Sequence, residues 1–182
     1  MTTLTLAERV VALDEALSRI PHAFGGAIAL AYYAEPRATI DIDINVFVGP
    51  DRYAKVAARL ETVGVDAADR DVVERVERDG QVRVLWDSTP IDLFFAYDPF
   101  HDAAAAARTT VPFARTTIPI LSATHLVVCK VVFNRAKDWV DIDAMLTAEV
   151  ALDVAEVMRW VGRIAGDTDP RYERIAALLA RR

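Results

Sequence analysis

Residues 25–48 read GGAIALAYYAEPRATIDIDINVFV, and their pattern decides the fold. Within IDIDIN, Ile40, Ile42 and Ile44 alternate with Asp41, Asp43 and Asn45. A two-residue period is that of a β-strand with unlike faces, because successive side chains point to opposite sides. One face joins a core and the other carries two acids side by side. Like charges at that spacing repel and raise each other's pKa unless a positive group lies between them. A divalent cation with oxygen ligands, most naturally Mg2+, relieves that repulsion. The alternative is a solvated polar face, but such faces usually mix Thr, Lys and Glu. Gly25-Gly26 favours the cation, since a glycine turn lets a phosphate approach backbone N–H groups.

The 182-residue chain accommodates one domain with a proper core, or a compact domain with a helical extension. It contains no low-complexity tract and no internal repeat. Charges interrupt every apolar run before a membrane span is complete, and MTTLTLAERVV carries no basic leader, so a cytoplasmic location and no membrane partner are expected. The single Cys129 permits no internal disulfide and fits a reducing compartment; within LVVCKVVF it reads as a small buried hydrophobe. A net charge of −6 argues against a protein that coats nucleic acid through a broad basic surface. A local grip on one end of an RNA remains open, with basic residues gathered at Arg108, Arg115, Lys130, Arg135 and Lys137. Arg171, Arg174, Arg181 and Arg182 read as a solvated helix face and terminus.

From the N-terminal end, Thr5-Leu6-Ala7-Glu8 has the form of a capping box, so a helix begins there and carries Leu6, Val10, Leu13 and Leu17 until Pro21. Residues 22–24 make a short strand. Residues 27–33 are apolar all round, as in a helix packed between a sheet and other helices, with its N-terminus at the glycines. Thr39 shares the face of Asp41, although a β-branched residue in a strand needs no function. Gly49-Pro50-Asp51 turns into a helix through Val56, Leu60 and Val63 that stops at Gly64. Residues 65–80 are charged and receive no assignment. VRVLW and IDLFF form a hairpin around Asp87-Ser88-Thr89-Pro90. Asp92 lies inside the second, hydrophobic run, where a carboxylate is costly to bury without a cation or donor. If that strand lies beside IDIDIN, Asp92 joins Asp41 and Asp43.

The alanine run 103–107 is helical, and Pro112 and Pro119 bracket an extended segment. Ser122 caps a helix that reaches Asn134. Lys130 interrupts its valine-rich run and requires an anion if buried. His22, His101 and His125 read as packing or surface residues. In DWVDIDAML, Val140, Ala144 and Leu146 are expected to pack while Asp138 and Asp141 stay accessible. From Leu152 on, two amphipathic helices are built around Val154, Val157 and Val161, and around Ile175, Leu178 and Leu179.

Gly25-Gly26, then Asp41-Ile42-Asp43, then Asp92 between apolar neighbours together resemble the nucleotidyltransferase superfamily. More narrowly, GGAIALAYY with RATIDIDINV, followed by CKVVFNRAKDWVDIDAML, is similar to the AbiEii and MenT-like toxins of bacterial toxin-antitoxin systems. Gly26 stands where serine is common across the superfamily, and the spacing to Asp41 is longer than its commonest form; both features favour the toxin branch.

That resemblance implies an α/β (α+β) fold: a mixed β-sheet nucleotidyltransferase core over residues 1–121, with flanking helices, and a C-terminal helical region over 122–182. The implied activity is Mg2+-dependent transfer of NMP from an NTP such as ATP to the 3′ end of tRNA, which blocks translation. A protein or small-molecule hydroxyl as acceptor, or a catalytically silent binding module, are the alternatives. Asp41, Asp43 and Asp92 would hold the metal and, with Lys137, carry catalysis. Gly25, Gly26, Arg37, Thr39, Lys130 and Asp138 would bind the nucleotide. Lys137 is favoured over Lys130, which serves its helix interior, and Asp138 would hold that lysine. A cognate antitoxin is the implied partner, with Thr39 a possible site of regulatory phosphorylation.

Overall fold

The computed structural model describes residues 4–67 and 69–181. The chain divides into two units: residues up to Ile28 together with Ala38–Leu121, and Ala29–Arg37 together with the residues from Ser122 onward.

In the first unit, helix α1 (Leu6–Ala16) opens on the Thr5–Glu8 capping box, in which Glu8 N–H donates to the Thr5 hydroxyl and Thr5 N–H to the Glu8 carboxylate. The strands are β1 (His22–Phe24), β2 (Ile42–Val46), β3 (Gln81–Trp86), β4 (Thr89–Phe95), β5 (Thr109–Phe113) and β6 (Thr116–Ile120). Among the described residues they form one mixed sheet in the order β3-β4-β2-β1-β6-β5. β2 runs antiparallel to β1 but parallel to β4, and β1 runs parallel to β6. β3–β4 and β5–β6 are antiparallel hairpins.

One sheet face is apolar. Ile42, Ile44, Val82, Val84, Ile91, Leu93 and Phe95 are buried on it. Helix α3 (Tyr53–Glu61), preceded by a 3-10 turn at Pro50–Arg52, lies on this side, with the Tyr53 ring edge-on to Phe95 at 5.7 Å. Val10 and Leu13 of helix α1, with Leu17 at its C-terminal cap, are buried as well. Burying such side chains is worth roughly 1.5–3 kcal/mol each, which pins the strands in register. The opposite face of β2, β4 and β3 is left to Asp43, Asp92 and Arg83.

Besides β2 starting only at Ile42, with Ile40 78% exposed, and a β3–β4 turn of two residues that leaves Thr89 and Pro90 in β4, three segments differ from the sequence expectation. Residues 65–80 contain helix α4 (Arg70–Asp79), which Asp69 caps and Gly80 ends in the left-handed region at φ 65°. Its apolar stripe is thin, essentially Val72 and Val76 four residues apart, and the surrounding charges hid it. The apolar run after the glycines is helical only over α2 (Gly26–Leu30), because Tyr32 N–H and Tyr33 N–H bond three residues back and tighten the chain into turns before Pro36. The segment bracketed by Pro112 and Pro119 is not one extended stretch. It folds into β5 and β6, with Ala114 at φ 51° in the turn. The alanine run lies within α5 (Pro99–Ala107), as expected.

The second unit is helical. Its helices α6 (Ala123–Phe133), α7 (Ala136–Thr147), α8 (Val154–Ala165) and α9 (Pro170–Leu179) follow the expected order. Ser122, Asp153 and Asp169 cap α6, α8 and α9, and Asn134 ends α6 at φ 56°. Helix α6 packs against α7, α8 and α9, so its valines are buried nearly all round. The Arg174 guanidinium lies 3.9 Å from the centre of the Trp139 ring. Among the described residues no helix is long and apolar enough to cross a membrane.

Arg9 fastens α1 to the β3–β4 turn. Its guanidinium is buried, donates to the Trp86 carbonyl and the Asp87 carboxylate at 2.8 Å each, and lies over the Trp86 ring. Arg9→Ala leaves a buried carbonyl without its donor, and the expected loss is about 2–3 kcal/mol, read from the midpoint of urea unfolding. A loss below about 0.5 kcal/mol, the range of an inert surface site, contradicts this role.

Candidate active site

The glycines and the acidic strand form one compact arrangement in the first unit. Gly25 N–H donates to the Asp43 carbonyl at 2.9 Å, tying the end of β1 to β2. Gly26 adopts φ 51°, and an added Cβ there would come 1.7 Å from Asp43 Oδ2. No L side chain fits that position: the conformation is left-handed and the space belongs to the Asp43 carboxylate. At Gly25 the space is limited by Asn45, whose Nδ2 would stand 2.9 Å from a Cβ. The second glycine is therefore required by its contact with Asp43.

Parallel pairing supplies the third acid. Asp43 sits directly opposite Asp92 in the β2–β4 register, so both project from the polar face. Asp41 stands one strand period before Asp43, just ahead of β2. The Thr39 hydroxyl is hydrogen-bonded to the Asp41 carboxylate, and Asp41 N–H reaches back to Thr39 Oγ1 at 3.4 Å. Thr39 thus holds Asp41 locally, as Ser and Thr hydroxyls do near their own backbone.

The row of paired residues continues onto β3, where Arg83 lies opposite Asp92. Its guanidinium makes a two-pronged contact, Nε to Oδ1 at 2.7 Å and a terminal nitrogen to Oδ2 at 2.6 Å, and the same terminal nitrogen is 4.0 Å from Asp41 Oδ2. These hydrogen bonds to Asp92, with the charges of Asp92, Asp41 and Asp43, push the Arg83 pKa up from its ordinary value. Sequence reasoning overlooked Arg83. The four-residue turn expected at Asp87–Pro90 would set Arg83 opposite Phe94; the two-residue turn at Asp87 and Ser88 is what pairs it with Asp92.

Three carboxylates on one face, with no soft donor among them and backbone close by at Gly26, suit a hard divalent cation. Among the described residues no three His, Cys, Asp or Glu side chains are drawn into a metal-holding group. Arg83 grips both oxygens of Asp92, so the three acids are neighbours without converging.

The second unit holds a buried ion cluster. Asp141, 3% exposed, accepts from Lys130 Nζ at 2.6 Å and from Arg37 through Nε at 2.9 Å and a terminal nitrogen at 3.0 Å. Asp141 is the anion that a buried Lys130 required. The expectation that Asp138 and Asp141 stay accessible while Val140 packs is overturned: Val140 is 68% exposed, and Trp139, Ile142 and Met145 fill the core. Both aspartates are buried because each is paired. Asp138 accepts from Arg135 N–H at 3.0 Å and Arg135 Nε at 2.7 Å, so its visible partner is Arg135 and not Lys137, which is exposed.

The fold is that of nucleotidyltransferases. The solution structure of the antibiotic-resistance factor ANT(2″)-Ia matches with a TM-score of 0.63 at 14% identity, over 96% of this chain and 95% of that one. ANT(2″)-Ia in complex with adenylyl-2″-tobramycin gives 0.59 at 14% identity over 88% and 97%. An antigenic nucleotidyltransferase-like protein from Paracoccidioides brasiliensis gives 0.50 at 14% identity over 87% and 85%. Among curated proteins, none matches the chain significantly in sequence. The family of nucleotidyl transferase AbiEii toxins, of type IV toxin-antitoxin systems, matches residues 10–181, and the chain belongs to it.

Burial alone would raise the Asp141 carboxyl pKa, but the hydrogen bonds from Arg37 and Lys130 outweigh it and hold the pKa below the usual carboxylate value. The stabilisation is therefore complete above the ordinary carboxylate range and is lost as pH falls through the lower, folded-state value. Asp141→Asn leaves Lys130 without its counter-charge and is expected to cost about 3 kcal/mol at neutral pH. Chemical denaturation across pH checks this: the gap to wild type narrows in acid, and a gap that is absent at pH 7 contradicts it.

Proposed function

We propose that the protein is a Mg2+-dependent nucleotidyltransferase toxin that moves an NMP from an NTP to the 3′-terminal hydroxyl of tRNA and so blocks translation. The observation that carries this reading is the register of Asp43 and Asp92 on adjacent parallel strands, with Asp41 alongside and Gly26 fitted against Asp43. Family membership supports the chemistry and the toxin role. An antitoxin partner follows from the same membership.

Asp41, Asp43 and Asp92 would hold the cation, which when bound neutralises the triphosphate and the charge that develops at the α-phosphorus. Gly25 and Gly26 admit phosphate close to the backbone. In the transfer itself, the acceptor oxygen bonds to the α-phosphorus, the bond from that phosphorus to the bridging oxygen breaks, and pyrophosphate leaves. The acceptor proton passes to a carboxylate, for which Asp92 is the candidate. Lys137 is the proposed lysine for phosphate charge, since it is exposed, whereas Lys130 is buried against Asp141. Lys130 and Asp138, expected to bind the nucleotide, are instead buried and paired with Asp141 and Arg135, and Arg37 is also paired with Asp141, so these residues are assigned no direct contact with the nucleotide.

Thr39 is the proposed control point. A phosphoryl group on its hydroxyl would set about two negative charges against Asp41, where a triphosphate has to approach.

Incubating total tRNA with each labelled NTP and Mg2+ tests the reading. Label in the tRNA band is expected with wild type, with a loss of at least about a hundredfold for Asp41→Ala, and Thr39→Glu is expected to behave like Asp41→Ala. Absence of label with all four NTPs contradicts tRNA as acceptor. Label appearing in protein or in a small-molecule acceptor instead would move the chemistry to that hydroxyl.

A further inference from the structure

Arg83 lies outside the motifs that mark the family and inside the group of acids that the reaction needs. We propose that Arg83 is the resident counter-ion of the carboxylate face and competes with the divalent cation for Asp92, so that loading of the site requires the guanidinium to leave. This rests on the reading of Asp41, Asp43 and Asp92 as the metal-holding set.

The cross-strand row Arg83, Asp92, Asp43 is fixed by two registers. Arg83 takes both oxygens of Asp92 and lies within 4.0 Å of Asp41, so one positive group faces two of the three acids. A carboxylate gripped by both prongs of a guanidinium has its best lone pairs committed, and a cation can take Asp92 only as those bonds break. Guanidinium stays charged at every accessible pH, so protons do not release it; only a competing cation or anion does.

The surroundings allow that release. Among the described residues β3 is an edge strand of the sheet, and the Arg83 side chain is 55% exposed. The guanidinium can swing into water without opening the core, since the β3 residues flanking it, Val82 and Val84, are the ones that point inward. The guanidinium end of the pair is 55% exposed and the carboxylate end 17%, so solvent screening limits, without abolishing, what the two-pronged contact adds to folding. A purely structural role for Arg83 therefore predicts a change in stability, whereas competition predicts a change in cation affinity with stability nearly unchanged.

The test is a Mn2+ titration of the intact protein, followed by the electron paramagnetic resonance signal of free Mn2+, on wild type, Arg83→Gln, Arg83→Lys and Asp92→Asn, with melting temperatures recorded without metal. Removing the competing charge is expected to make Arg83→Gln bind Mn2+ about five- to tenfold more tightly than wild type, with its melting temperature within about 2 °C. Arg83→Lys, which keeps the charge but not the two-pronged grip, falls between them, and it also carries the comparison if the glutamine variant proves unstable. Asp92→Asn binds more weakly. Equal or weaker binding by Arg83→Gln, with wild-type binding intact and lost in Asp92→Asn, overturns the competition and leaves the metal site standing. No binding by any of the proteins removes the metal site and the competition together.

Discussion

The parallel pairing of β2 with β4 sets Asp43 opposite Asp92, and the first unit is arranged to hold that register. Parallel neighbours need a long connection, here running through α3, α4 and β3, and each part of it has a task. The helices bury the apolar sides of the strands, and the hairpin with β3 carries Arg83 to the outer side of Asp92. A one-residue slip of β2 would turn Asp43 into the core and Ile42 or Ile44 outward. The apolar face, filled by Ile42, Ile44, Ile91 and Leu93, makes such a slip prohibitively costly. Packing on one face thus determines where charge stands on the other.

Electrostatic compensation recurs in both units in different forms. On the polar sheet face the acids meet an arginine whose side chain is 55% exposed. In the helical unit Asp141 is enclosed and answered by Lys130 and Arg37, an arrangement that fixes geometry because breaking it strands a buried charge. The first kind of pairing suits groups that have to exchange partners, and the second suits groups that have to stay in place. Asp138 with Arg135 is intermediate, with a buried carboxylate and a half-exposed guanidinium.

Much of the fold was legible where local chemistry speaks alone: the capping box at Thr5 and Glu8, the alternation from Ile42 to Asn45, the cap at Ser122, and the helix end at Asn134; Ile40, also assigned to the core face, is 78% exposed ahead of the strand. Helix α4 was hidden because Val72 and Val76 offer too short an apolar stripe among charges, although Asp69 and Gly80 mark both its ends. Within the site, the neighbouring acids were readable because a charged residue inside a hydrophobic strand needs an explanation. Arg83 was not read, since an arginine alternating with valines looks like an ordinary solvated position until the two-residue turn fixes the hairpin register. The burial of Asp138 and Asp141 was misjudged for a related reason: acids are taken to face water unless a partner is visible, and Arg37 lies 104 residues from Asp141 in sequence.

On the proposed function, cation and triphosphate meet on the polar face of β2 and β4, beside Gly26. Anomalous scattering at the Mn2+ edge, from crystals grown with Mn2+ and a non-hydrolysable NTP, tests it most directly. A Mn2+ peak ligated by Asp41 and Asp43, with nucleotide phosphate against Gly25 and Gly26, is expected. Nucleotide bound elsewhere, or bound with no Mn2+ at these acids, would contradict it.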